Sequence, residues 1–124
     1  SRGLGDVYKR QEKSDCVIVG RCADYILREQ HPLRIFIYSD MASKLARCRE
    51  KTHEDDALTD KQLARKIRKV DRNRSRYYTY YTGQKWGDRT NYDLMINTST
   101  LSVKGAVHSL AELLRHEAEE KGNA

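Results

Sequence analysis

Asp71, Arg72, Arg74 and Arg76 stand within six residues of one another, and guanidinium groups this close repel unless an anion shares them. Phosphoryl transfer needs such a cluster, because its transition state spreads charge over equatorial oxygens that arginines stabilise. The cluster ends a longer arm. From Thr59 to Arg76 there are eight Lys or Arg residues and two acidic ones, Asp60 and Asp71, a surplus of six that equals the formal +6 of the 124-residue chain. The other residues balance to zero, so the charge is a local device for meeting an anion. A solvated helix face is the ordinary alternative for such a run. Tyr77, Tyr78, Tyr80, Tyr81 and Trp86 follow at once. They could stack on bases, as in single-strand binders, but tyrosines at helical spacing read first as packing residues with wet hydroxyls, and a nucleic-acid partner is disfavoured.

A second candidate site closes a short apolar run. CVIVG, Cys16–Gly20, is a continuous β-branched stretch ending at glycine, the pattern of a strand buried on both faces. In open parallel sheets the ligand crevice lies beyond the carboxyl ends of the strands. Arg21 stands at such an end, where its planar fork could take a phosphate bidentately. Asp24, one turn on, could orient Arg21 or accept from a ligand hydroxyl or amine. A surface salt bridge between the two is the plainer alternative.

Other chemistries find little support. His31, His53, His108 and His116 are scattered without ligand spacing, so no metal site is expected. Cys16, Cys22 and Cys48 form an odd set without CxxC spacing and read as reduced thiols of a cytoplasmic protein. No apolar run approaches the ~20 residues of a membrane span, and no signal pattern opens the chain. With 38% hydrophobic and 34% charged residues there is room for one polar domain with a modest core. Nothing in the sequence fixes an oligomeric state.

The elements that would position these residues alternate. After the run at 16–20, RCADYILREQ suits a helix stopped by His31-Pro32, and Leu33–Asp40 holds a second buried strand around Ile35, Phe36 and Ile37. Ser39-Asp40 is an N-cap for the helix MASKLARCREK. After the polar break Thr52–Ala57, Thr59-Asp60 opens a helix through Leu63, Ile67 and Val70, running to about Tyr81 and stopped by Gly83. Tyr92–Ser99 gives a third strand. A last amphipathic helix carries Val103, Ala106, Val107, Leu110, Leu113 and Leu114 on one stripe. Strands and helices in short alternation predict a parallel α/β sheet.

Together, CVIVGRCADYIL, LRIFIYSDMASKLARCREK, KIRKVDRNRSRYYTYYTGQKWGD and NYDLMINTSTLSVKGAV resemble the cytidylate kinase-like family of P-loop nucleoside monophosphate kinases. The likeness runs from Cys16 to about Leu114, and DRNR-x-RYY-x-YYTG-x-KWG is its most specific part. The resemblance implies a three-layer α/β fold, a P-loop kinase-like parallel sheet with a helical lid, here about residues 52–90. It implies transfer of the terminal phosphoryl of ATP, with magnesium, to a nucleoside monophosphate, with CMP or dCMP favoured. Carried over residue by residue, it assigns Arg21, Asp24 and Asp71 to the acceptor nucleotide, with Arg68 and Arg76 as further substrate contacts. Arg72 and Arg74 become the catalytic arginines of the lid. Thr98, Ser99 and Thr100, after the last strand, would lie near the adenine of the donor.

Two departures qualify the match. Better-known cytidylate kinases carry a further lid arginine one turn before the DRNR string; here Ile67 stands there, with Arg68 the nearest substitute. And no GxxxxGK[ST] phosphate loop occurs, since Gly3 and Gly5 precede no lysine at the required spacing. The expected sheet is therefore incomplete. The first strand, central in this fold class, would lie between those at 16–20 and 33–38, and without it their backbone groups go unpaired. Residues 1–14 read as a disordered, non-native leader (SRGLGDVYKRQ resembles a translated adapter prefix), 15–119 as a partial kinase-like domain, and 120–124 as a frayed tail. The chain on its own is expected to be a poorly stable, inactive C-terminal portion. Two other classes stand beside this one: a small basic RNA- or DNA-binding domain, and a degenerate kinase-like interaction module.

Overall fold

The computed structural model describes residues 17–20 and 22–122, so the leader expected over 1–14 lies outside the described residues. Helix α1 (Ala23–Ile26) leads through a 3-10 turn, Arg28–Gln30, to strand β1 (Ile35–Tyr38). Helices α2 (Met41–Lys51) and α3 (Asp60–Thr82) follow, then a 3-10 turn at Arg89–Asn91, strand β2 (Leu94–Asn97) and helix α4 (Val103–Gly122). The two strands pair in parallel, Ile35 with Leu94, Phe36 with Met95, Ile37 with Ile96 and Tyr38 with Asn97. The chain is thus α/β with a small parallel sheet. The pairing is tied at both ends. The Arg34 amide donates to Asp93 Oδ2 at 2.8 Å before the strands, and the Thr98 amide donates to the Tyr38 carbonyl at 2.9 Å after them.

The helix boundaries follow local chemistry. Asp40 caps α2 by accepting from the Ser43 amide at 2.8 Å. Thr59 and Gln62 form a reciprocal capping box at the start of α3, with bonds of 3.2 and 2.9 Å that satisfy two of the helix's unpaired amides. Gly83 ends α3 in the left-handed region at φ 71°, where a side chain would be strained, and its amide donates to the Thr79 carbonyl at 2.8 Å.

Two small clusters serve as the core. Leu63, Ala64 and Ile67 are buried on the face of α3 that packs on α2, and Arg49 of α2 fastens the preceding loop through the Asp55 and Leu58 carbonyls. Around the sheet, Phe36 meets Trp86 edge-to-face at 5.2 Å and Tyr92 at 4.9 Å, so the chain leaving α3 covers that face of β1.

The expected strand at Cys16–Gly20 is not formed. Cys16 lies outside the described residues, Val17–Val19 have no regular structure, and Val17 and Val19 are 84% and 88% exposed. A both-faces-buried strand needs hydrogen-bonding neighbours, and among the described residues the sheet consists of β1 and β2 alone. The same shortage leaves Ile37, expected in the core, 60% exposed. On α4 the apolar stripe exists but is half bare: Val103, Val107 and Leu114 are exposed, while Ala106, Leu110 and Leu113 are partly covered.

Candidate functional site

The cationic arm is one uninterrupted helix, and that decides which of its side chains can act together. Successive residues turn by about 100°, so Arg72 and Arg74 point to opposite flanks of α3. The buried Leu63, Ile67 and Tyr78 mark the inner face. Asp71 and Arg74 lie on that face, at intervals of three and four from Ile67, Asp71 and Tyr78. Arg65, Lys69, Arg72 and Arg76 line the outer face, all exposed and without an ion-pair partner among the described residues, as is Arg68 on the flank.

The inner face carries the organised polar groups. Asp71 accepts from Lys44 Nζ of α2 at 2.7 Å, and its other oxygen lies 3.7 Å from Arg74. Lys44 thus compensates the Asp71 charge and leaves Arg74 mostly open to solvent, able to take an anion. Lys44 carries no signal in sequence, being 27 residues away from its partner on another helix. One to two turns further, Tyr78 is buried, and its hydroxyl donates to Asp24 Oδ2 at 2.7 Å while lying 2.9 Å from Gln84 Oε1. A phenol has one proton, and the carboxylate is the stronger acceptor, so the Tyr78 proton goes to Asp24. Burial, followed by the bond to Asp24, pushes the Tyr78 hydroxyl far above the usual phenol range and keeps it a donor. Burial likewise raises neighbouring Tyr92.

Asp24 sits on α1, whose N-cap Cys22 is held at φ 57°, a left-handed backbone that costs a non-glycine residue strain. Burial, then the Asp24 charge, pushes the Cys22 thiol up, away from the reactive thiolate. Arg21 lies outside the described residues. Asp24, Asp71, Arg74 and Tyr78 are therefore gathered around one side of α3, whereas Arg72 and Arg76 face away from it.

The expected tyrosine packing needs correction. Tyr77, Tyr80 and Tyr81 do not pack into the body. Tyr80 is 82% exposed, and the rings meet one another instead, Tyr77 tilted against Tyr81 at 4.6 Å and Tyr80 edge-to-face with Tyr81 at 5.0 Å. The packing tyrosine is Tyr78, seven residues from Asp71 and four from Arg74, spacing that marks it as their face-mate.

Thr98, Ser99 and Thr100 form the turn after β2, at the carboxyl end of the sheet. Thr98 is buried, and its hydroxyl donates to the Tyr38 carbonyl at 3.1 Å while accepting from Arg47 at 2.9 Å. Ser99 Oγ accepts from the Asp40 amide at 2.6 Å. Thr100 is exposed, with one long bond of 3.4 Å to the Asn97 carbonyl, and is the member of this turn open to a ligand.

No group of three or more His, Cys, Asp or Glu able to hold a metal occurs among the described residues. Without a phosphate-loop lysine and its Ser or Thr, the residues present do not fit a magnesium–ATP site; their chemistry is that of arginine and amide groups on phosphate oxygens and carboxylates on ligand donors. Among the described residues no helix is long and apolar enough to cross a membrane.

Three comparisons bear on this site. The family model of the cytidylate kinase-like family matches residues 4–100. Among solved structures the chain is similar to an uncharacterized protein from Eubacterium ventriosum, with 28% sequence identity and a TM-score of 0.77. That similarity covers 91% of this chain but 63% of the other, so the chain spans less than two thirds of that protein's length. No curated protein matches the sequence significantly.

Proposed function

This chain belongs to the cytidylate kinase-like family, and we propose that it forms the acceptor-binding and lid side of a kinase that moves the terminal phosphoryl of ATP to a nucleoside monophosphate, CMP or dCMP by preference. One observation carries the reading: Asp71, Arg74 and Tyr78 of the basic helix share the face that meets Asp24. The acceptor would lie against that face, its base or sugar donors on Asp24 and its phosphate near Arg74, with Arg21 completing the phosphate contacts. Arg72, Arg68 and Arg76, on the outer and flanking positions of α3, would reach a transferring phosphate only by a change in the helix or from a second direction.

Magnesium would supply neutralisation of the donor's phosphates in this chemistry, and a phosphate loop outside the described residues would hold it. The three-layer P-loop arrangement belongs to the same proposal. The edge of β1 left unpaired among the described residues and the bare Val17–Val19 segment are where a further central strand, leading to a phosphate loop, would fit. Little covalent chemistry is asked of the residues present; they place the acceptor and exclude water.

The test is ATP-dependent phosphorylation of CMP, dCMP and UMP by two proteins, this 124-residue chain and the product of its full genomic reading frame. The chain alone is expected to be inactive and the full product active. Turnover by the chain alone overturns the division of the site, and no turnover of any acceptor by the full product overturns the kinase reading.

A second reading, single-stranded nucleic-acid binding, is favoured by one observation, the outer stripe Arg65, Lys69, Arg72 and Arg76 leading to the exposed ring of Tyr80. It requires oligonucleotide binding that weakens steeply with salt. Binding insensitive to salt, or none, removes it.

A further inference from the structure

We propose that Tyr78 is the positioning residue of the acceptor site: it fixes the Asp24 carboxylate and makes the lid helix and the acceptor-binding segment one mechanical unit. The proposal rests on the reading of Asp24 as an acceptor ligand. Tyr78 is 5% exposed, and its hydroxyl bonds Asp24 Oδ2 at 2.7 Å across 54 residues of sequence. Asp24 itself stands on a helix of four residues, too short to hold a side chain rigidly. α3, in contrast, is 23 residues long, capped at both ends and packed on α2.

The phenol is itself held. Gln84 flanks it at 2.9 Å, and the Gln84 backbone is clamped by the end of α3, its carbonyl accepting from Thr79 Oγ1 at 2.9 Å and its amide donating to Thr82 Oγ1 at 3.0 Å. A carboxylate bound on Oδ2 by a fixed donor presents Oδ1 in one direction, ready for a ligand hydroxyl or amine without reorganisation. Because Asp71 and Arg74 share the helix with Tyr78, the same bond sets the distance from the carboxylate that holds the nucleoside to the cation that meets its phosphate. Any movement of α3 is thereby transmitted to Asp24.

A merely structural tyrosine and a positioning tyrosine are separated by a double-mutant cycle on CMP binding, measured by calorimetry on the product of the full reading frame. Tyr78→Phe is expected to weaken CMP binding roughly ten-fold or more, the effect of one lost hydrogen bond to a charged group. In an Asp24→Ala background the same change is expected to have no effect, since its target is gone. An equal loss in both backgrounds, or none in either, overturns the proposal. Should Tyr78→Phe fail to fold, the full wild-type product labelled at the tyrosine ring carbon that bears the hydroxyl decides the matter. The Tyr78 resonance must shift with the same saturation as CMP binding, and a signal indifferent to saturating CMP overturns the proposal. A full wild-type product that binds no nucleoside monophosphate overturns the acceptor reading beneath it, an outcome distinct from wild-type binding with a silent Tyr78.

Discussion

Arg47 of α2 grips Thr98 by both of its oxygens, donating to the side chain at 2.9 Å and to the carbonyl at 2.6 Å. Thr98 in turn donates through both its amide and its hydroxyl to the Tyr38 carbonyl. The end of β1, the end of β2 and the middle of α2 are thus joined at one buried threonine.

Removing the grip should be costly in stability. Arg47→Met keeps the aliphatic stem but leaves the Thr98 carbonyl without its charged donor, and an abandoned buried acceptor costs about 1–3 kcal/mol. The expected outcome is a lower urea midpoint at unchanged denaturant slope. A midpoint equal to wild type would mean that water replaces the guanidinium.

The Arg34–Asp93 pair predicts the response to acid. The bonds from Arg34, through its side chain and then its amide, hold the Asp93 carboxyl below the usual carboxylate range. A lowered folded-state value means the bound proton is favoured in the unfolded chain. The contribution is therefore present above about pH 4, the ordinary range for an aspartate, and fades as pH falls through the lower folded-state value. Asp40 and Asp88, both bonded to amides at helix starts, shift the same way. Thermal melts from pH 7 to pH 2.5 should show a fall that begins below about pH 4, and it should be shallower in Asp93→Asn. An equal fall in that variant sinks the assignment.

How much of this was legible in the sequence depended on whether the cause was local. The starts of α2 and α3 were readable because Asp40 and Thr59 act on amides three residues away, and the end of α3 because Gly83 supplies a left-handed residue. No strand forms over 17–20 because an apolar pattern states only a wish for burial, and no partner strand that would grant it occurs among the described residues. Among the tyrosines, a period starting at Tyr77 marked the wrong face. The true inner face is set by Leu63 and Ile67, and continuing that register selects Tyr78. Lys44 leaves no mark in the sequence, because nothing local distinguishes a lysine that meets a carboxylate on another helix.

Two glycines after α3 should differ when replaced. Gly83 and Gly87 both have positive φ, 71° and 82°, so alanine at either is strained by about 1 kcal/mol. At Gly83 nothing lies within 4 Å of the added methyl, whereas at Gly87 it would sit 3.3 Å from the Phe36 ring. Gly87→Ala must push Phe36 against Trp86 and Tyr92, so it should lower the melting temperature more than Gly83→Ala. The reverse order, in paired melts, would show that the Phe36 cluster is loose.

The exposed apolar groups give the last expectation. Val17, Val19, Ile37 and Val107 are all more than half exposed. Burying such a side chain is worth about 1.5–3 kcal/mol, so several of them together rival the 5–15 kcal/mol that stabilises a typical domain. The 124-residue chain should therefore self-associate as its concentration rises, since association is the available way to cover them. Val107→Gln separates a bare surface from a hidden one. Glutamine suits a helix as well as valine does, so on a bare face it should change folding stability by less than about 0.5 kcal/mol while reducing association. Sedimentation velocity reads the association and urea unfolding reads the stability. A loss of 2 kcal/mol or more in dilute monomer would mean that α4 already covers its stripe, and that Val107 belongs to the core.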